Sequence, residues 1–121
     1  MEERLFERKI YAQLLKWKQE SDGKTALLVE GPRRVGKSTI VETFAKNEYD
    51  SYLLIDFNKA SKTIKDLFSD LMDMDYLFLY LQTAYHVTLK PRKSVIIFDE
   101  VQKCPMARQA IKYLVEDGRY D

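Results

Sequence analysis

Residues 25–46 read TALLVEGPRRVGKSTIVETFAK. The first six form an apolar run with no polar alternation, which suits a strand buried on both faces of a parallel sheet. From Ser38 onward, Ile40, Val41, Phe44 and Ala45 fall on one face of a helix. Between the two lies GPRRVGKS, with Gly31, Gly36, Lys37 and Ser38 at the fixed positions of G-x-x-x-x-G-K-[ST]. A plain strand–helix turn needs neither two glycines nor a lysine. A chance match in a chain of this length is roughly a one-per-cent event.

Each residue type in that break has a physical task. Gly31 lets the chain leave the strand sharply, and Gly36 lets backbone N–H groups approach an oxygen closely. The loop then wraps its donors around a phosphate, and the helix points its positive end at the same place. Lys37 neutralises phosphate charge, and the Ser38 hydroxyl is a hard oxygen ligand for Mg²⁺. Pro32 stiffens the loop, and Arg33 and Arg34 add positive charge. The expected phosphate-binding set is Gly31, Pro32, Arg33, Arg34, Val35, Gly36, Lys37, Ser38 and Thr39.

A second motif is SVIIFDE, residues 94–100. Four apolar residues, Val95 to Phe98, lead into Asp99 and Glu100. A carboxylate at the C-terminal end of a buried parallel strand faces the ligand crevice of such sheets. In phosphoryl-transfer sites one such acid holds Mg²⁺, and a neighbouring glutamate activates the attacking water. Asp99 is therefore expected at the metal, with Glu100 as the catalytic base beside Lys37. Many strands end in an acid, so the motif draws its weight from the phosphate loop.

The rest of the chain supplies the frame. RLFERKIYAQLLKWKQE predicts an amphipathic helix over about residues 4–20, with Leu5, Ile10, Leu14, Leu15 and Trp17 at helical spacing and Gly23 as a stop. SYLLIDF, 51–57, reads as another buried strand. SKTIKDLFSDLMDMDYLFLYLQTAYHV reads as two helices divided near Asp73 to Asp75. Pro105 is placed to open a final helix running to Gly118. Strands alternating with helices define an α/β fold with a mainly parallel sheet. The chain has 121 residues, enough for one domain. Its net charge of +1 provides no basic field for nucleic acid. One cysteine excludes an internal disulfide. Charges occupy the start where a signal peptide needs an apolar core, and no run is long enough for a bilayer. A cytoplasmic protein without membrane contact is expected.

Other candidates read more simply as structure. His86 is the only histidine and suits a helix end better than a metal site. Cys104 suits a small loop hydrophobe, since no base partner can be named. Arg92, Arg108 and Arg119 read as solvated surface arginines rather than charge stabilisers. LFLYL, 77–81, reads as helical core rather than a stacking platform. Asp56 suits the rim of the site or a strand-end cap equally well.

LLVEGPRRVGKSTIVETFAK, YLLIDF, SVIIFDEVQKCP and ARQAIKYLVEDGRYD together resemble the first part of an AAA-type P-loop ATPase. More narrowly they resemble a group of bacterial and archaeal ATP-binding proteins that often carry a C-terminal nuclease-like domain. Asp99, Glu100, Val101 and Gln102 match an acid–Glu–apolar–Gln pattern that recurs in that group. The resemblance implies a three-layer αβα core, with residues 1–22 as an N-terminal helix and 23–121 as an incomplete nucleotide-binding core. It implies ATP and Mg²⁺ as ligands and hydrolysis as the activity, with the two motifs as Walker A and Walker B. A further strand with a sensor residue, an arginine finger and a lid would follow, so the chain reads as a fragment of a longer protein. That strand would lie between TALLVE and SVIIF. Without it, either those two strands pair directly or another chain fills the gap, which leaves self-association open. Weak nucleotide binding, and slow turnover or none, are expected of such a fragment. An ATP-sensing switch without productive hydrolysis is the alternative, and a small-molecule kinase fits the acid pair less well. The resemblance is silent on nucleic acid and on what ATP use drives.

Overall fold

The computed structural model describes residues 2–21, 24–27, 37–69 and 73–121. Two strands, β1 (Ser51–Asp56) and β2 (Ser94–Asp99), pair in parallel, in register from Ser51 opposite Ser94 to Asp56 opposite Asp99. The ladder runs one bond further, with Phe57 N–H donating to the Asp99 carbonyl at 2.9 Å. Side chains alternate between the two faces. Leu53, Ile55 and Phe57 are fully buried on one face, where Ile96 and Phe98 pack beside them. That face is covered by α3 (Lys62–Leu67), α4 (Met74–Tyr85) and α5 (Pro105–Asp117), through Ile64, Leu77, Leu81, Ala107 and Ala110. The rings of Phe57, Phe68 and Phe98 meet edge to face at centroid distances of 5.1 to 5.6 Å. The expected α/β class with a parallel sheet is what these residues form.

Helix ends follow local chemistry. The Ser61 hydroxyl accepts from Ile64 N–H to start α3, and the Asp73 carboxylate accepts from Tyr76 N–H to start α4. The predicted division near Asp73 is therefore a helix cap. His86 ends α4 in a left-handed conformation, φ 56°, and is exposed. Pro105 opens α5, and Gly118, φ 70°, closes it by donating its N–H to the Leu114 carbonyl.

Helix α1 (Glu2–Ser21) and helix α2 (Lys37–Glu48) make a second cluster, in which Ile10, Leu14 and Phe44 are buried beside Trp17, Val41 and Tyr49. The Tyr11 hydroxyl donates to Glu48 across the pair at 3.0 Å. α2 also packs on both strands and hands over to β1 through Tyr49 and Asp50.

Two expectations need correction. Thr25 to Leu27 were expected to begin a buried strand, but they are exposed and carry no regular structure. Ser21 holds them instead: its hydroxyl accepts from Thr25 N–H at 2.9 Å and from the Thr25 hydroxyl at 2.8 Å. A side chain bonded to nearby backbone competes with the ladder for the same donor. Residues 28–30 of that expected strand, and Gly23, lie outside the described residues. Arg92 and Arg119 are the second correction. Arg92 pairs with Asp121 at 2.7 Å, and Arg119 pairs with Asp75 at 2.8 Å while lying over the Phe78 ring. Arg108 is exposed, as expected.

The outer edge of β2 is occupied at its start by Asp121. Asp121 N–H donates to the Ser94 carbonyl at 3.1 Å, and Ile96 N–H donates to the Asp121 carbonyl at 2.9 Å. This is the alternation of a parallel ladder. The Asp121 carboxylate accepts from the Tyr49 hydroxyl at 2.7 Å. Burial, and then that bond, push Tyr49 proton loss far above the ordinary tyrosine range. The same end of the register is held by Ser94, which is fully buried. Lys90 N–H donates to the Ser94 hydroxyl, the Ser94 and Ser51 hydroxyls meet at 2.6 Å, and Ser51 donates to the Thr88 carbonyl. The chain of bonds satisfies both hydroxyls and ties the β2 start to β1.

Candidate functional site

The register places Asp56 and Asp99 side by side at the C-terminal ends of the two strands, on the same face as Leu54 and Ile97. Both strand ends are partly buried. The Asp56 carboxylate accepts from Asn58 N–H at 2.9 Å, which makes it a strand-end cap as well as a neighbour of Asp99. α2 has 12 residues and β1 has 6, so the two are of similar length, about 18 and 20 Å. α2 leads into β1 through Tyr49 and Asp50, and its first turn lies at the helix end away from that junction. That turn contains Lys37, Ser38 and Thr39. Gly31, Pro32, Arg33, Arg34, Val35 and Gly36 lie outside the described residues.

Glu100 follows β2 directly and has φ 56° and ψ 42°, the left-handed region that non-glycine residues seldom enter. It re-aims the chain from the strand into a single 3-10 turn, Val101–Lys103. Lys103 N–H donates to the Glu100 carbonyl, and Cys104 N–H to the Val101 carbonyl, both at 3.0 Å. Val101 packs against the sheet cluster, and Cys104 is 5% exposed within it. Cys104 is thus a packing residue, as its position suggested. The Gln102 side-chain amide donates to the Glu100 carboxylate at 2.6 Å. Sequence reasoning noted Gln102 only as part of a pattern; its two-residue spacing from Glu100 was the available signal.

An open cleft of about 1210 Å³ runs from α1 and α2 across the sheet face to α5. Leu54, Val95 and Ile97 face it, and Asp99 and Glu100 also line it. Among the described residues, no group of three or more His, Cys, Asp or Glu side chains is arranged to hold a metal. Also among them, no helix is long and apolar enough to cross a membrane.

A parallel strand pair with acids at its C-terminal ends, bordering a cleft and covered by helices, defines an α/β domain. The model of one family, described as AAA domain, matches residues 23–121. The chain belongs to this family of AAA-type, ATPase-like domains. No curated protein and no solved structure matches the chain.

Proposed function

We propose that the chain binds ATP with Mg²⁺ and forms the hydrolytic core of an AAA-type ATPase, with residues 23–121 as the nucleotide-binding part of a three-layer αβα arrangement. The observation that carries this reading is the placement of Asp99 and Glu100 at the C-terminal end of β2, where they line a cleft that α2 also borders. In this reading the backbone N–H groups of Gly31 to Thr39 hold the phosphates, and Lys37 neutralises them. The Ser38 hydroxyl and the Asp99 carboxylate are both hard oxygen donors, a set that suits Mg²⁺ with most of its waters retained. When bound, the ion supplies charge neutralisation on the phosphate oxygens. Glu100 takes the proton of the attacking water, and the loop and Lys37 keep the terminal phosphate in line with it. Hydrolysis in the cytoplasm, with no membrane partner, completes the proposal.

The test is a ¹H–¹⁵N spectrum of the chain titrated with Mg²⁺-ATP. Shifts are expected to concentrate at Gly31 to Thr39 and around Asp99. Lys37→Ala should weaken ATP binding on the order of 100-fold, because a full charge next to the phosphates is lost. A dispersed spectrum that ignores ATP would overturn the reading.

A further inference from the structure

We propose that Gln102 is a positioning residue that holds the Glu100 carboxylate in the orientation it needs to activate water. This rests on the reading of Glu100 as the base.

The backbone on both sides of Glu100 is fixed. β2 ends at Asp99, and the 3-10 turn is closed by the bonds from Lys103 to Glu100 and from Cys104 to Val101. Val101 and Cys104 anchor that turn in the apolar cluster, and Pro105 begins α5 directly after it. The left-handed conformation of Glu100 is unfavourable for a residue with a side chain and persists because the anchored turn imposes it. Main-chain order does not by itself order the carboxylate. A glutamate side chain keeps three rotatable bonds, and fixing them costs conformational entropy. Gln102 supplies one such restraint. Its amide reaches Glu100 Oε2 at 2.6 Å, and a bond from N–H to a charged carboxylate is stronger than one between neutral groups. One amide does not exhaust a carboxylate, which accepts about four hydrogen bonds.

Gln102 is exposed and takes no place in either apolar cluster. Its replacement therefore leaves the fold intact, and its effect is read on Glu100 alone. Gln102→Met keeps the length of the side chain and removes the donor. In the full chain, Gln102→Met is expected to lower kcat for ATP about tenfold, a fraction of what a general base contributes, with KM and ATP affinity unchanged. In a Glu100→Gln background the same change should have no further effect, since the group being positioned is gone. The Gln102 side-chain amide signals should also shift when Glu100 becomes Gln.

The outcomes separate the two claims. If Gln102→Met turns over at the wild-type rate while Glu100→Gln is inactive, the positioning role is overturned and the base stands. A tenfold loss that persists in the Glu100→Gln background overturns it too, because the effect would then not act through Glu100. If Glu100→Gln keeps the wild-type rate, or the wild-type chain releases no phosphate at all, the base reading fails and takes this proposal with it.

Discussion

Glu100→Gln is expected to cut ATP turnover by a factor of about 10²–10⁴ while leaving nucleotide binding in place. The substitution preserves shape and removes only the ability to take a proton from water. Glu100 sits one residue beyond β2 and lines the cleft beside Asp99, so its neighbours and backbone need not move. The glutamine retains an acceptor oxygen, and the bond with Gln102 has a neutral substitute. Phosphate release under enzyme excess, followed over a single turnover, is the measurement, with ATP affinity measured alongside. Equal rates in variant and wild type would remove the base assignment. A rate loss matched by an equal loss of affinity would assign Glu100 to binding instead.

The second large effect concerns stability. Phe57→Ala is expected to destabilise the fold by about 4 kcal/mol, read as a shift of the denaturation midpoint. Phe57 is 0% exposed, and its ring meets Phe68 at 5.6 Å and Phe98 at 5.1 Å. Alanine there loses the transfer energy of the ring and leaves a cavity between the sheet and α3. Domains of this size are stable by only about 5–15 kcal/mol, so the variant would lie close to unfolding. Leu79→Ala is the control. Leu79 is 64% exposed on α4, and its removal should change stability by less than about 0.5 kcal/mol. Equal effects from the two would contradict the packing described.

Most of the frame was legible because burial writes itself into the chain. SYLLID and SVIIFD are apolar runs too short for helices, and both are strands. Pro105 and Gly118 mark the ends of α5 because one has no N–H to lose and the other tolerates positive φ. What sequence reading missed depends on partners distant along the chain or on local competition. Nothing near Arg119 announces its pairing with Asp75, 44 residues earlier. Nothing in TALLVE announces that Ser21 will hold Thr25. At the site, the residue types were readable at Asp99 and Glu100. The left-handed turn at Glu100 was not, because it is imposed by the anchoring of Val101 and Cys104 and not by glutamate itself.

Among the described residues, the two apolar clusters share none. Cooperativity in a protein follows shared packing, so this division sets a seam along which the native state opens. Among the described residues, the α1–α2 cluster has three buried side chains, whereas the cluster around the sheet has eleven. Amide protons of α1 should therefore exchange with solvent faster than those of β1 and β2, which hydrogen exchange read by mass would reveal as two populations of protection. Uniform protection would mean that the seam does not open separately. Because α2 carries Lys37 and also leans on both strands, a ligand held at its first turn would draw on the stability of both units. Occupancy of the site would then be felt as far away as α1, where slower exchange would register it.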